Sequence, residues 1–342
     1  MAVKQVGQRG FADDLLGARL GSNAVLERIT GLIEWQSIEA FLDGLHSSRY
    51  GRPAYPPLML FKALLLQQWY ALSEVGLEEA LRDRLSFRRF CGLALEDDAP
   101  DQVTIGRFRN LLTREQLVQP LFEEIVRQID ARGLILRQGT LIDASLVEAA
   151  VRRPKPPKDE SPEALAEKGE PAASSRPASK LVSSPHDPDA AWTKKGGKRT
   201  FGYKVHVGAD QGSAIIRRAL LTPANVNDTV PADELYCGDE KAVYADQAYS
   251  THARTARLKA AGIKDRTMTR PNKHHPLTER QKTRNKAIGK RRGPVEQIFA
   301  RLKGIYDWAR VRYRGLAANQ AQLLLICCAM NLKRMAVLTS PA

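Results

Sequence analysis

Cysteine is scarce in this chain: four among 342 residues, at Cys91, Cys237, Cys327 and Cys328. Two are adjacent and none stands in a CxxC or Cys/His spacing, which argues against a disulfide scaffold and against a structural zinc site. Long apolar runs are missing too. The longest strongly apolar stretch, 323–330, falls far short of the roughly 20 residues that a membrane-spanning helix needs. The opening Met-Ala-Val-Lys-Gln is not followed by an apolar signal core, so the expectation is a cytoplasmic protein with no membrane partner. Acids are in deficit, 38 Asp and Glu against 53 Lys and Arg, for a formal net charge of +15. An excess of that size points to a polyanionic partner.

What is present divides by period. Residues 1 to about 132 carry helical spacing. Leu58, Phe61, Leu64 and Leu65 recur after Tyr55-Pro56-Pro57, and a second helix is expected over 77–90, with Arg82, Arg84, Arg88 and Arg89 on its outer side. Those arginines, with Arg107 and Arg109 of a following segment, suit a DNA groove or its phosphates, or else a solvated surface. After Gly133 the pattern turns strand-like at 134–136 and 140–143. Eight prolines between Pro154 and Pro188, among Lys, Glu, Ser and Ala, mark a flexible insertion over 152–188. Strands are expected at 200–207, 214–221, 242–245 and 263–268, and helices at 229–236, 251–261, from about 294, and at 317–335. Strands mixed with helices give an α/β domain around one sheet over 133–338.

Asp143 and Asp246 each stand just past an apolar strand run. A carboxylate there is costly unless it is paired, exposed or bound to metal. A third acid, Glu296, lies in the segment 270–303, which holds eleven Lys or Arg and two acids. Glu296 and Lys303 are seven apart, hence about 20° apart on one helix face. Three carboxylates and a substrate phosphate suffice for two Mg²⁺ ions about 3.5–4 Å apart, the arrangement used for phosphodiester cleavage and transfer.

The blocks that hold these acids resemble a known family. Gly139-Thr140-Leu141-Ile142-Asp143-Ala144-Ser145, Tyr244-Ala245-Asp246-Gln247-Ala248-Tyr249 and the spacing of Arg292, Glu296 and Lys303 are similar to the catalytic blocks of bacterial insertion-sequence DDE transposases of the IS-four/IS-five superfamily. Arg52-Pro53, Thr104-Ile105-Gly106-Arg107-Phe108-Arg109, Asp187-Pro188-Asp189 and Gly202-Tyr203-Lys204-Val205-His206 fit the intervening motifs. The resemblance implies a ribonuclease-H-like mixed-sheet core behind a helical DNA-binding and dimerisation domain. It also implies two Mg²⁺ ions, with Mn²⁺ able to substitute, on Asp143, Asp246 and Glu296. The double-stranded DNA partners are then transposon-end inverted repeats and target DNA, bound by a homodimer or higher oligomer. Lys303, Arg292, Tyr249, Lys204, His206, Trp192, Arg107 and Arg109 become candidate DNA contacts. The family's signature tyrosine falls at Gly289 here, and Pro294 predicts a helix that starts after Arg292 and leaves that side chain on a loop. A nuclease on the same core, or a DNA-binding regulator with a silent triad, are the alternatives.

Overall fold

The computed structural model describes residues 3–8, 10–11, 13, 21–45, 53–151, 184–271 and 276–340. Arg52 and most of the Pro-rich insertion lie outside them. The N-terminal region is helical: α1 (Ala24–Leu32), α2 (Trp35–Ala40), α3 (Pro57–Trp69), α4 (Glu74–Asp83), α5 (Leu85–Cys91), α6 (Gln102–Arg114) and α7 (Val118–Ala131). Pro57 opens α3 at its first turn, where no N–H is needed. Nearly every residue of α3 from Met59 onward is buried, so it forms the centre of the bundle. The single helix expected over 77–90 is two, because Arg84 is extended and serves as the C-cap of α4 and the N-cap of α5. Its guanidinium lies over the Phe87 ring at 5.0 Å.

The catalytic half is a mixed sheet flanked by helices. Its elements are β1 (Thr140–Glu148), β2 (Ala191–Lys195), β3 (Lys198–Asp210), β4 (Ile216–Pro223), β5 (Ala242–Ala245), α8 (His252–Ala260), β6 (Lys264–Thr267), α9 (Glu279–Gly304) and α10 (Leu316–Leu338). β1 runs antiparallel to β3 along its whole length, and β4 extends the antiparallel part from β3. β5 and β6 continue parallel on the other side of β1. This α/β architecture with a helical N-terminal region is consistent with a ribonuclease-H-like core.

Several expectations change. Residues 134–136 form no strand, because the Asp210 carboxylate takes the N–H groups of Leu136 and Arg137 at 3.1 and 2.8 Å. The helix expected over 229–236 shrinks to a single 3₁₀ turn, Pro231–Glu234. α9 begins at Glu279 rather than near Pro294, started by a capping box in which the Thr278 hydroxyl and Gln281 side chain serve each other's backbone N–H. Pro294 therefore sits inside the helix.

α10 joins the two halves. By length and composition it is apolar enough to cross a membrane, yet it is mostly buried inside the fold. It packs on α1, α3, α7 and β4, and one buried apolar cluster runs from the N-terminal helices through α10 to one face of the sheet. Trp69 of α3 donates to the Ala329 carbonyl at 2.7 Å. At its N-terminus α10 is capped by Asp189, which accepts from Leu316 N–H at 2.8 Å, while buried Asp187 holds the Tyr203 hydroxyl and the Gly315 N–H. Its polar residues finish the outer edge of β4. Asn331 bonds both the N–H and C=O of Ile216 at 2.9 and 2.8 Å, and Gln320 bonds Leu221 N–H and Ala219 C=O at 2.7 and 3.1 Å. An edge strand left with unpaired backbone groups would be costly here. Asn331→Leu strands two buried backbone groups and is expected to cost about 2–4 kcal/mol in denaturant unfolding.

Candidate active site

The site is built where two strands part. β1 and β5 pair in parallel at Thr140↔Val243 and Leu141↔Tyr244. Continuing that register by two residues brings Asp143 level with Asp246, on chains about 4.8 Å apart. Asp143 is not at a strand end, as expected, but in the middle of β1, which β3 continues to pair through Glu148. Asp246 is the first residue past β5 and caps a 3₁₀ turn, Gln247–Tyr249, by accepting from Ala248 N–H at 2.8 Å.

Alternation along the strands assigns the faces. Leu141 and Val147 flank Asp143 on the face covered by α9 and α10, and Ile142, with Val243 and Ala245, belongs to the opposite face under α8. From the first face, Arg292 of α9 reaches Asp143 at 3.1 Å, with the guanidinium side chain 7% exposed and the carboxylate 20%. Arg292 is therefore helical and buried, not on a loop. Glu296 lies one turn further, about 6 Å along and 40° round the helix, and is exposed. Among the described residues, no three His, Cys, Asp or Glu side chains converge into a ready cation cage. The structure thus brings Asp143, Asp246 and Arg292 together and leaves Glu296 exposed on the neighbouring turn.

The other candidates are placed variously. Lys303 is half-buried near the end of α9. Tyr249 is 1% exposed and packs with Ile142, Val243 and Ala245, so it offers no stacking surface to a DNA end. Lys204 and His206 pair with Leu146 and Ala144, hence they point to the face opposite Asp143. Lys204 is ion-paired with Asp228 at 2.7 Å and donates to Val226 C=O at 2.6 Å. Trp192 is half-buried against Phe201, with ring centroids 5.5 Å apart. Arg109 is committed to Glu74 and to Tyr313, whose hydroxyl it meets at 2.8 Å and whose ring it covers at 4.0 Å. Arg88, expected on an outer face, is buried and donates to the carbonyls of Leu81, Ala94, Leu95 and Asp97. Arg107 is exposed and lines a cleft of about 750 Å³ with Lys4, Arg82, Asp98 and Asp101.

One residue that matters here has no signal in the sequence. Arg254 of α8 is 2% exposed. It donates to the carbonyls of Tyr249 and Thr229 and pairs with Asp233 at 2.8 Å. It thereby fixes the turn after Asp246 against the loop that carries Asp228. Its position in a basic, polar helix gives no hint of that burial.

His206 is fully enclosed, with Nε2 2.9 Å from the Thr222 hydroxyl and Nδ1 without a partner. Burial pushes its pKa down to about 4. A folded state that stays neutral while the unfolded chain takes up a proton loses stability as pH falls from 6.5 towards 4. Urea titrations at pH 7 and pH 4.5 should show a loss on the order of 3 kcal/mol in the wild type beyond that of His206→Gln. Equal losses in both proteins would contradict it.

Two family comparisons bear on the chain. Residues 136–332 match the family described as Transposase DDE domain. Residues 15–111 match the one described as Transposase domain (DUF772). No solved structure matches the chain at a significant level. The first match takes in β1 through most of α10, including both aspartates and the helix that pairs with one of them, and it spans more than half of the sequence. The chain belongs to the transposase DDE domain family.

Proposed function

We propose that this protein is a transposase of the IS-four/IS-five type, which cuts DNA at terminal inverted repeats and joins the freed 3′-OH to target DNA. A DDE domain implies an enzyme that cleaves DNA and transfers strands, and such domains generally use divalent metal ions. The observation that carries the finer reading is the register that sets Asp143 level with Asp246, with Arg292 already on Asp143.

The residues present fit a hard cation. Asp143 and Asp246 offer carboxylate oxygens on adjacent chains, both partly accessible, and Glu296 can supply a third from α9. No sulfur or imidazole donor is needed for Mg²⁺, and Mn²⁺ accepts the same set. When bound, two such ions activate the attacking oxygen and neutralise charge at phosphorus and at the leaving oxygen.

The chain's own groups do the rest. Asp143 and Asp246 hold the reacting centre at the mouth of the sheet, where ligand sites of open α/β sheets gather. Arg292 presents a planar guanidinium that can grip a phosphate in two-point fashion when it leaves Asp143. Arg280, Lys282, Lys286, Lys290 and Arg301 are exposed along α9, a row of cations suited to a phosphate backbone. Lys303 extends that row past Glu296. The helical domain over 1–132, with Arg107 on its surface, supplies end recognition and dimerisation, and two ends held together imply an oligomer on DNA in the cytoplasm.

With Mg²⁺ and duplex DNA bearing the element's ends, the wild type should cut. Asp143→Asn, Asp246→Asn and Glu296→Gln should each reduce cleavage by at least 10³-fold, taken as roughly 4 kcal/mol of lost transition-state stabilisation. DNA binding in a gel-shift assay should stay within a few-fold. Cutting at the wild-type rate by all three variants would overturn the reading.

A further inference from the structure

The Tyr249 hydroxyl is buried and has no hydrogen-bond partner in the structure. Such a group is expensive: leaving a buried hydroxyl unmade costs about 1–3 kcal/mol, and a phenylalanine in its place would avoid that cost. Its surroundings show what the hydroxyl is for. The ring packs on Ile142, Val243 and Ala245, which stand beside Asp143 and Asp246 on their own strands. The Tyr249 carbonyl is clamped by Arg254 to the carbonyl of Thr229, next to Asp228. The hydroxyl therefore lies in the combined field of Asp228, Asp143 and Asp246, with Arg292 beyond. Of the three carboxylates, Asp228 is already engaged by Lys204 at 2.7 Å.

We propose that Tyr249 is a positioning residue of the cleavage site, whose hydroxyl donates a hydrogen bond to the Asp143–Asp246 pair once those carboxylates turn to hold a divalent cation. This deepens the reading of the site as a metal-dependent one and rests on it. Burial and the neighbouring aspartates push the phenol well above its ordinary pKa, so it remains a donor throughout the working range. Carboxylates that bind a metal are themselves held by outside hydrogen bonds, and loss of such a bond weakens metal binding by about 10–100-fold. In the DNA-free, metal-free arrangement Asp143 is turned to Arg292 instead, which explains why the hydroxyl stands unpaired. A Tyr249 that served packing alone would gain nothing from its oxygen.

The test is Mn²⁺ binding followed by electron paramagnetic resonance on the full chain, with thermal melting alongside. Tyr249→Phe should bind Mn²⁺ about tenfold more weakly than wild type and melt at the same temperature or higher. Unchanged Mn²⁺ affinity in Tyr249→Phe would overturn the inference. So would a lowered melting temperature, since it would reveal a structural partner for the hydroxyl. Asp143→Asn, measured in parallel, separates the two levels. If the wild type binds Mn²⁺ in an Asp143-dependent way and Tyr249→Phe matches it, only the role of Tyr249 fails. If wild-type binding does not depend on Asp143, the metal-site reading fails with it.

Discussion

β1 is paired along its full length by β3 on one side but by β5 over only two residues on the other, and the site follows from that inequality. Where the parallel ladder stops, the next residues of the two chains are free to carry side chains that a continuous buried sheet would not tolerate. Asp143 and Asp246 fall at that point. A carboxylate on the inner face of a sheet is costly in free energy unless something answers its charge, and Arg292 answers it from α9. The same helix then sets Glu296 one turn away and continues a row of cations along its exposed side. One register thus determines which acids meet, which helix must cover them and which surface lies ready for a phosphate backbone.

Keeping that register demands a rigid frame. α10 supplies it by packing against the helical region and the sheet in one apolar core, while Asn331 and Gln320 bond the outer edge of β4 as a further strand would. On the opposite face Arg254 ties the turn after Asp246 to the loop at Thr229. Gly208 permits the close approach there, since a Cβ would stand 1.8 Å from the Leu235 carbonyl oxygen. Both faces of the sheet therefore bear on the position of the two aspartates, though neither α10 nor Arg254 carries a candidate catalytic group.

Some of this was legible in the sequence and some was not, for physical reasons. An acid that interrupts an apolar run is conspicuous, because burial makes it costly; hence Asp143 and Asp246 could be singled out before any fold was known. Strand partners were not visible, so the face of Lys204 and His206 could not be assigned: alternation gives sides only once pairing is fixed. α9 was read short because Pro294 suggests a start and the preceding turns have few apolar residues, whereas Thr278 and Gln281 start it fifteen residues earlier. The N-terminal arginines show the limit of charge counting. Composition records that Arg88 and Arg109 are cations, but not that backbone carbonyls hold one and Glu74 and Tyr313 the other. The net charge of +15 still implies a polyanion; the cations available to it are fewer than the sequence suggests and are concentrated on α9.

The central claim is that Asp143, Asp246 and Glu296 share a divalent-cation site, and the metal itself can report its neighbours. With Fe²⁺ in place of Mg²⁺, ascorbate and peroxide generate hydroxyl radicals that cut the polypeptide beside the ion, and the fragments can be sized by mass spectrometry. The account predicts cuts next to Asp143, Asp246 and Glu296, suppressed by excess Mg²⁺ and lost in Asp143→Asn. Cuts confined to other segments, or a pattern indifferent to Asp143→Asn, would contradict it.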